Sequence, residues 1–81
     1  MNRMSEQQSQ TGTRDTTYDL VSILYHALQG AETYGQYMQD AEGRGDKDVA
    51  QFFGQVQQEE RQRADRAKQL LQQQLTKSNG R

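Results

Sequence analysis

Glu60 is a carboxylate set into an apolar run. Val49, Phe53, Val56, Ala67 and Leu70 share its helical face, and Arg63 follows one turn later. Burying a bare carboxylate costs on the order of several kcal/mol, so this position calls for a cation, a metal ion or water. Two chemistries fit. Arg63 can neutralise Glu60 as an internal ion pair, making a structural polar layer. Alternatively, Glu60 can share a metal ion with a second carboxylate, and Glu32 is the candidate. Carboxylates projecting from separate helices into one bundle interior form part of a di-iron site, which is completed by Glu-x-x-His pairs whose i and i+3 members grip one ion. Here the residue three after Glu60 is Arg63 and the residue three after Glu59 is Gln62, so the imidazole is missing. The ion pair is therefore the preferred reading, with Glu32 and Glu60 retained as the metal candidates.

The remaining chemistry-bearing residues favour surface or structural roles. His26 is the single histidine. It stands six residues before Glu32, about 120° away around an ideal helix, and points off the seam. Tyr34 belongs to the seam, whereas Tyr25 and Tyr37 lie off it. Arg44-Gly45-Asp46 matches a cell-adhesion tripeptide, but it also supplies the C-capping glycine and N-capping aspartate that a turn between helices needs. Arg61, Arg63, Arg66 and Lys68 form a short basic cluster, interrupted by Asp65 and best read as a solvated face, with Glu59 placed for an i, i+4 pair with Arg63. No glycine loop for phosphate and no Ser or Cys with a histidine partner is present, so no hydrolytic or nucleotide chemistry is legible.

The elements that position these residues are helical. From Thr16, read as an N-cap with Asp19 in a capping-box position, the residues Leu20, Leu24, Ala27, Ala31, Tyr34, Met38 and Ala41 alternate steps of four and three. Val21, Leu28 and Gly35 widen this face, which suits contact with two neighbouring helices; Glu32, on that flank, is placed to face a second hairpin. Gly43-Arg44-Gly45 ends the helix and Asp46 caps the next. The second seam is expected along Val49, Phe52/Phe53, Val56, Glu60, Arg63/Ala64, Ala67, Leu70/Leu71 and Leu75. A short linker makes the helices antiparallel. With the turn centred at 44–45, opposed positions sum to 89–90, placing Glu60 and Arg63 against the small residues Ala27, Gly30 and Ala31. The expected organisation is a disordered leader at 1–15, a hairpin at 16–76 with helices at about 17–43 and 46–75, and a flexible tail at 77–81.

Composition sets the assembly. The chain has 81 residues, 31% of them hydrophobic, and no Cys, Pro or Trp. So small and polar a chain, without a disulfide, has too little core to fold alone, and association is the common remedy. The expectation is an all-α antiparallel hairpin that dimerises into a four-helix bundle. No stretch is apolar enough to span a bilayer and Met1 to Thr13 lacks the apolar core of a signal peptide, so a cytoplasmic location is the default expectation. Net charge is −1, with nine acids against two bases over 15–60 and six bases against one acid over 61–81. This polarity follows the helix dipoles, and an overall basic footprint for nucleic acid is absent.

The stretch from Tyr18 to Leu75 resembles the short ferritin-like proteins made of one helical hairpin, which dimerise into four-helix bundles; the encapsulin-associated ferritins are one such group. The likeness rests on Ala31-Glu32, the stretch from Tyr34 to Asp40, the short turn and the Glu59-Glu60 pair. In that family a helix-one glutamate and a helix-two Glu-x-x-His hold iron at the subunit interface and support ferroxidase activity. Glu60 matches the helix-two glutamate, Arg63 stands where the histidine belongs, and Glu32 is nearest to the helix-one ligand. A cation beside a metal opposes its binding, so the resemblance implies the fold with an incomplete iron site. Three readings result. The preferred one is a ferritin-like homo-oligomer of structural or interaction type, needing no cofactor. The second binds iron or another divalent metal through Glu32 and Glu60 at the subunit interface. The third is a nucleic-acid binder using Arg61, Arg66 and Lys68.

Overall fold

The computed structural model describes residues 15–79; the expected leader, apart from Asp15, and the tail residues Gly80 and Arg81 lie outside the described residues. Two helices, α1 (Thr16–Gly43) and α2 (Lys47–Asn79), pack against each other as a hairpin, and no strand occurs among the described residues. None of these helices is long and apolar enough to cross a membrane.

Local chemistry explains both ends of α1. Asp15, in extended conformation, is the N-cap, and its Oδ1 accepts a hydrogen bond of 3.0 Å from the Thr17 N–H. The cap thus falls one residue before Thr16: a carboxylate accepts from the second helical N–H and also complements the positive helix start. At the other end, the Gly45 N–H donates to the Glu42 carbonyl at 3.0 Å and the Asp46 N–H donates to the Ala41 carbonyl at 2.9 Å. This is a Schellman closure. It needs a left-handed residue, and Gly45 provides it at φ 79°. The Asp46 carbonyl then accepts from Ala50 at 2.9 Å, which starts α2. That helix continues to Asn79, four residues past the expected stop at 75, since no Gly or Pro stands between Leu75 and Gly80.

The core is narrow. The buried apolar residues among those described are Ala27, Ala31 and Ala41 from α1 and Ala50, Ala64 and Ala67 from α2, and no large side chain is fully buried. Alanine against alanine draws the two backbones close. The α1 seam follows the line from Leu20 to Ala41 read in the sequence, all of it buried or half-buried.

The α2 seam differs from expectation. It runs through Ala50, Phe53, Gln57, Glu60, Ala64, Ala67, Leu71 and Gln74, again at alternating steps of three and four, and all are buried or half-buried. Val49, Phe52, Arg63 and Leu75, assigned to the seam above, are exposed. The helix is rotated so that its larger apolar stripe lies beside the contact rather than in it. Two glutamines hold this rotation. The Gln57 amide donates to the Ala31 carbonyl at 2.8 Å, and the Gln74 amide donates to the Thr16 hydroxyl at 2.6 Å.

Candidate functional site

The polar layer lies midway along the hairpin. A Cβ on Gly30 would meet Glu60 Cγ at 3.4 Å, so Gly30 and Glu60 stand opposite each other, and the rings of Tyr37 and Phe53 meet at 5.6 Å. Both pairs sum to 90, the register that the short turn imposes. The missing side chain at Gly30 makes room for the stem of Glu60. The carboxylate then turns to Arg63, whose guanidinium Nη1 lies 2.8 Å from Oε1. The Glu60 side chain is 20% exposed and that of Arg63 is 53% exposed, so the pair sits at the rim of the seam. Arg63 meets Glu60, one turn away at i+3, rather than Glu59.

Glu32 does not join this layer. It is exposed and lies two residues beyond Gly30, about 200° further round the helix. Gly30 faces Glu60, so Glu32 projects to the other side of the same hairpin. His26 is also exposed, donating from Nδ1 to the Ser22 carbonyl at 2.8 Å with its ring edge-on to Tyr25. No group of three or more His, Cys, Asp or Glu placed to hold a metal ion occurs among the described residues. The donors that one chain presents at the layer are a single carboxylate already bound to a guanidinium, with no imidazole. This set does not fit an iron centre, whose ligands must be several and whose charge a neighbouring cation opposes.

The basic cluster divides between two sides. Arg61 and Lys68 fall on the same line as Gly54 and Leu75, whereas Arg63 and Arg66 line a groove with Leu20, Ile23 and Leu70. Arg66 also donates to Gln69 at 3.3 Å. Arg44, Gly45 and Asp46 are exposed in the turn, where their part in the Schellman closure accounts for them.

Sequence reasoning missed Gln57 and Gln74, whose side-chain amides bridge the two helices. A signal was present: Ala50, Gln57, Ala64 and Leu71 recur every seven residues, parallel to the line of Val49, Val56 and Leu70 that Arg63 interrupts. Gln57 is held in place by a gap as well as by its acceptor. A Cβ on Gly35 would come 2.5 Å from the Gln57 amide nitrogen.

Large apolar side chains are displayed beside this layer. Ile23, Tyr37, Val49 and Phe52 are exposed, with Phe52 at 58%. The rings of Tyr34, Tyr37, Phe53 and Phe52 form a chain of contacts at 5.6–6.0 Å. Comparison with protein-family models, with curated proteins and with solved structures finds no match to this chain.

Proposed function

We propose that this chain is a self-associating helical-hairpin subunit, a structural or interaction protein of ferritin-like bundle architecture, acting without an iron centre of its own. The observation that carries the reading is the mismatch between core and surface. Six alanines fill the contact between α1 and α2, while nine larger apolar side chains stay exposed. Alanine burial contributes little, because hydrophobic stabilisation scales with the apolar area removed from water, at about 25 cal/mol per Å². Exposed apolar surface on this scale marks an interaction face in a small protein. Packing it against another copy supplies the core that one hairpin lacks.

Sedimentation velocity over a range of concentrations tests the reading. A dimer or larger species is expected, with an unfolding midpoint that rises with concentration. A folded monomer throughout that range overturns it. Iron retained by untagged protein after ferrous loading, and lost in Glu60→Gln, would replace it with the metal-binding alternative. Mobility shifts of RNA or DNA at low salt would replace it with the nucleic-acid alternative.

A further inference from the structure

We infer that the hairpins associate through one particular face, in a head-to-tail sense, about a two-fold axis at the level of Gly30 and Glu60; this rests on the self-association proposed above. The two flanks of the hairpin differ. On one, Ile23, Gly30 and Tyr37 recur at intervals of seven on α1, beside Val49, Val56, Arg63 and Leu70 on α2. These stripes lie on the same side. Tyr37 and Val49 line one groove near the turn, while Ile23, Arg63 and Leu70 line another near the open end. On the opposite flank, Val21, Leu28 and Glu42 are exposed beside Arg61, Lys68 and Leu75. Burying that second flank would desolvate Arg61 and Lys68, which meet no carboxylate among the described residues, whereas on the first flank Arg63 has Glu60 at 2.8 Å and Arg66 donates to Gln69 at 3.3 Å.

The first flank is also self-complementary. Ile23 and Tyr37 lie seven residues either side of Gly30, and on α2 the pairs Val49 with Leu70 and Val56 with Arg63 are centred on 59–60. Gly30 and Glu60 face each other, so both centres share one level. A two-fold axis there, perpendicular to the hairpin's length, sets Ile23 on the partner's Tyr37 and Val49 on the partner's Leu70.

Charge selects this orientation over its alternative. The turn half, residues 30–59, carries Glu32, Asp40, Glu42, Asp46, Asp48 and Glu59 against Arg44 and Lys47, a net of −4. The open half, residues 15–29 and 60–79, carries Asp15, Asp19, Glu60 and Asp65 against Arg61, Arg63, Arg66, Lys68 and Lys77, a net of +1. An axis along the hairpin would stack turn on turn, −4 on −4, and the perpendicular axis stacks −4 on +1. A face about 40 Å long and two helices wide offers on the order of 800 Å² per copy, what a stable dimer of standard size uses.

Two experiments test face and direction separately. The chain has no cysteine, so Lys47→Cys, at the turn and off the apolar stripe, accepts a single spin label. Pulsed dipolar spectroscopy of the dimer is expected to give an inter-label distance of about 40 Å, the rise of two half-hairpins. A distance under about 20 Å overturns the head-to-tail sense. For the face, Phe52, exposed and one helical turn from both Val49 and Val56 on the first flank, is the test position: Phe52→Asp is expected to weaken the dimer at least tenfold, while Leu28→Asp on the opposite flank leaves it within a factor of about three. The reverse pattern overturns the face while self-association stands. Should Phe52→Asp fail to fold, the label distance in the otherwise native chain still decides the geometry. A wild-type monomer would instead defeat the underlying reading.

Discussion

The inside of the hairpin and its aromatic flank use opposite materials. Inside, Ala27, Ala31, Ala50, Ala64 and Ala67 give close backbone approach and little buried area, and Gln57 and Gln74 cross-link the helices. Outside, Ile23, Tyr37, Val49 and Phe52 carry the larger apolar side chains and meet solvent. The inner contact fixes the geometry of the pair through steric fit and two directional hydrogen bonds. The outer flank holds the greater hydrophobic driving force, which one copy cannot realise. A lone hairpin with this division leaves its larger apolar side chains in solvent, the surface that the proposed self-association would bury.

This contrast breaks most readily at Ala64, only 1% exposed. Ala64→Leu is expected to cost about 1–3 kcal/mol by forcing the helices apart, read as a lower urea midpoint. A neutral result would mean that the seam is loose and that the division between the two surfaces is wrong. The next effect concerns the cross-links. Gln57→Ala should lose about 1 kcal/mol with the hydrogen bond to the Ala31 carbonyl.

Gly35→Ala sharpens that second effect. In the native chain the new methyl displaces the Gln57 amide, offsetting the gain of roughly 0.5–1 kcal/mol in helix propensity, so the net change is near zero. In the Gln57→Ala background the same substitution should stabilise by roughly that full amount, a coupling that a double-mutant cycle measures directly. Additivity would show that Gln57 does not occupy the space above Gly35. The smallest expected effect is at the polar layer. With Arg63 half exposed, Arg63→Ala should cost at most about 1 kcal/mol at low salt and less at high salt. A loss of several kcal/mol, insensitive to salt, would place Glu60 in a truly buried environment.

Much of the hairpin was legible. The α1 seam could be read residue by residue because its apolar line runs unbroken, in alternating steps of four and three, from Leu20 to Ala41. The turn was legible because Gly45 is the residue type its left-handed backbone demands. The Glu60 and Arg63 pairing follows from their i, i+3 spacing, which puts them on one face of any helix. The α2 seam was misjudged because two lines compete there. Val49, Phe52 and Val56 attract attention as the more hydrophobic, yet Ala50, Gln57, Ala64 and Leu71 make the contact. Relating Glu32 to Glu60 needed the rotation of one helix about the other, which no local spacing contains.

By itself the sequence determined two helices, where the chain turns between them, which face of α1 is inward and the antiparallel register, because capping, glycine conformation and period are local properties. Only the tertiary structure decided the rotation of α2, and with it the exposure of Phe52 and the separation of Glu32 from the polar layer. The reason is non-local: that rotation depends on how closely alanines from distant segments can approach, and on a glutamine amide finding the one carbonyl it can reach across the seam.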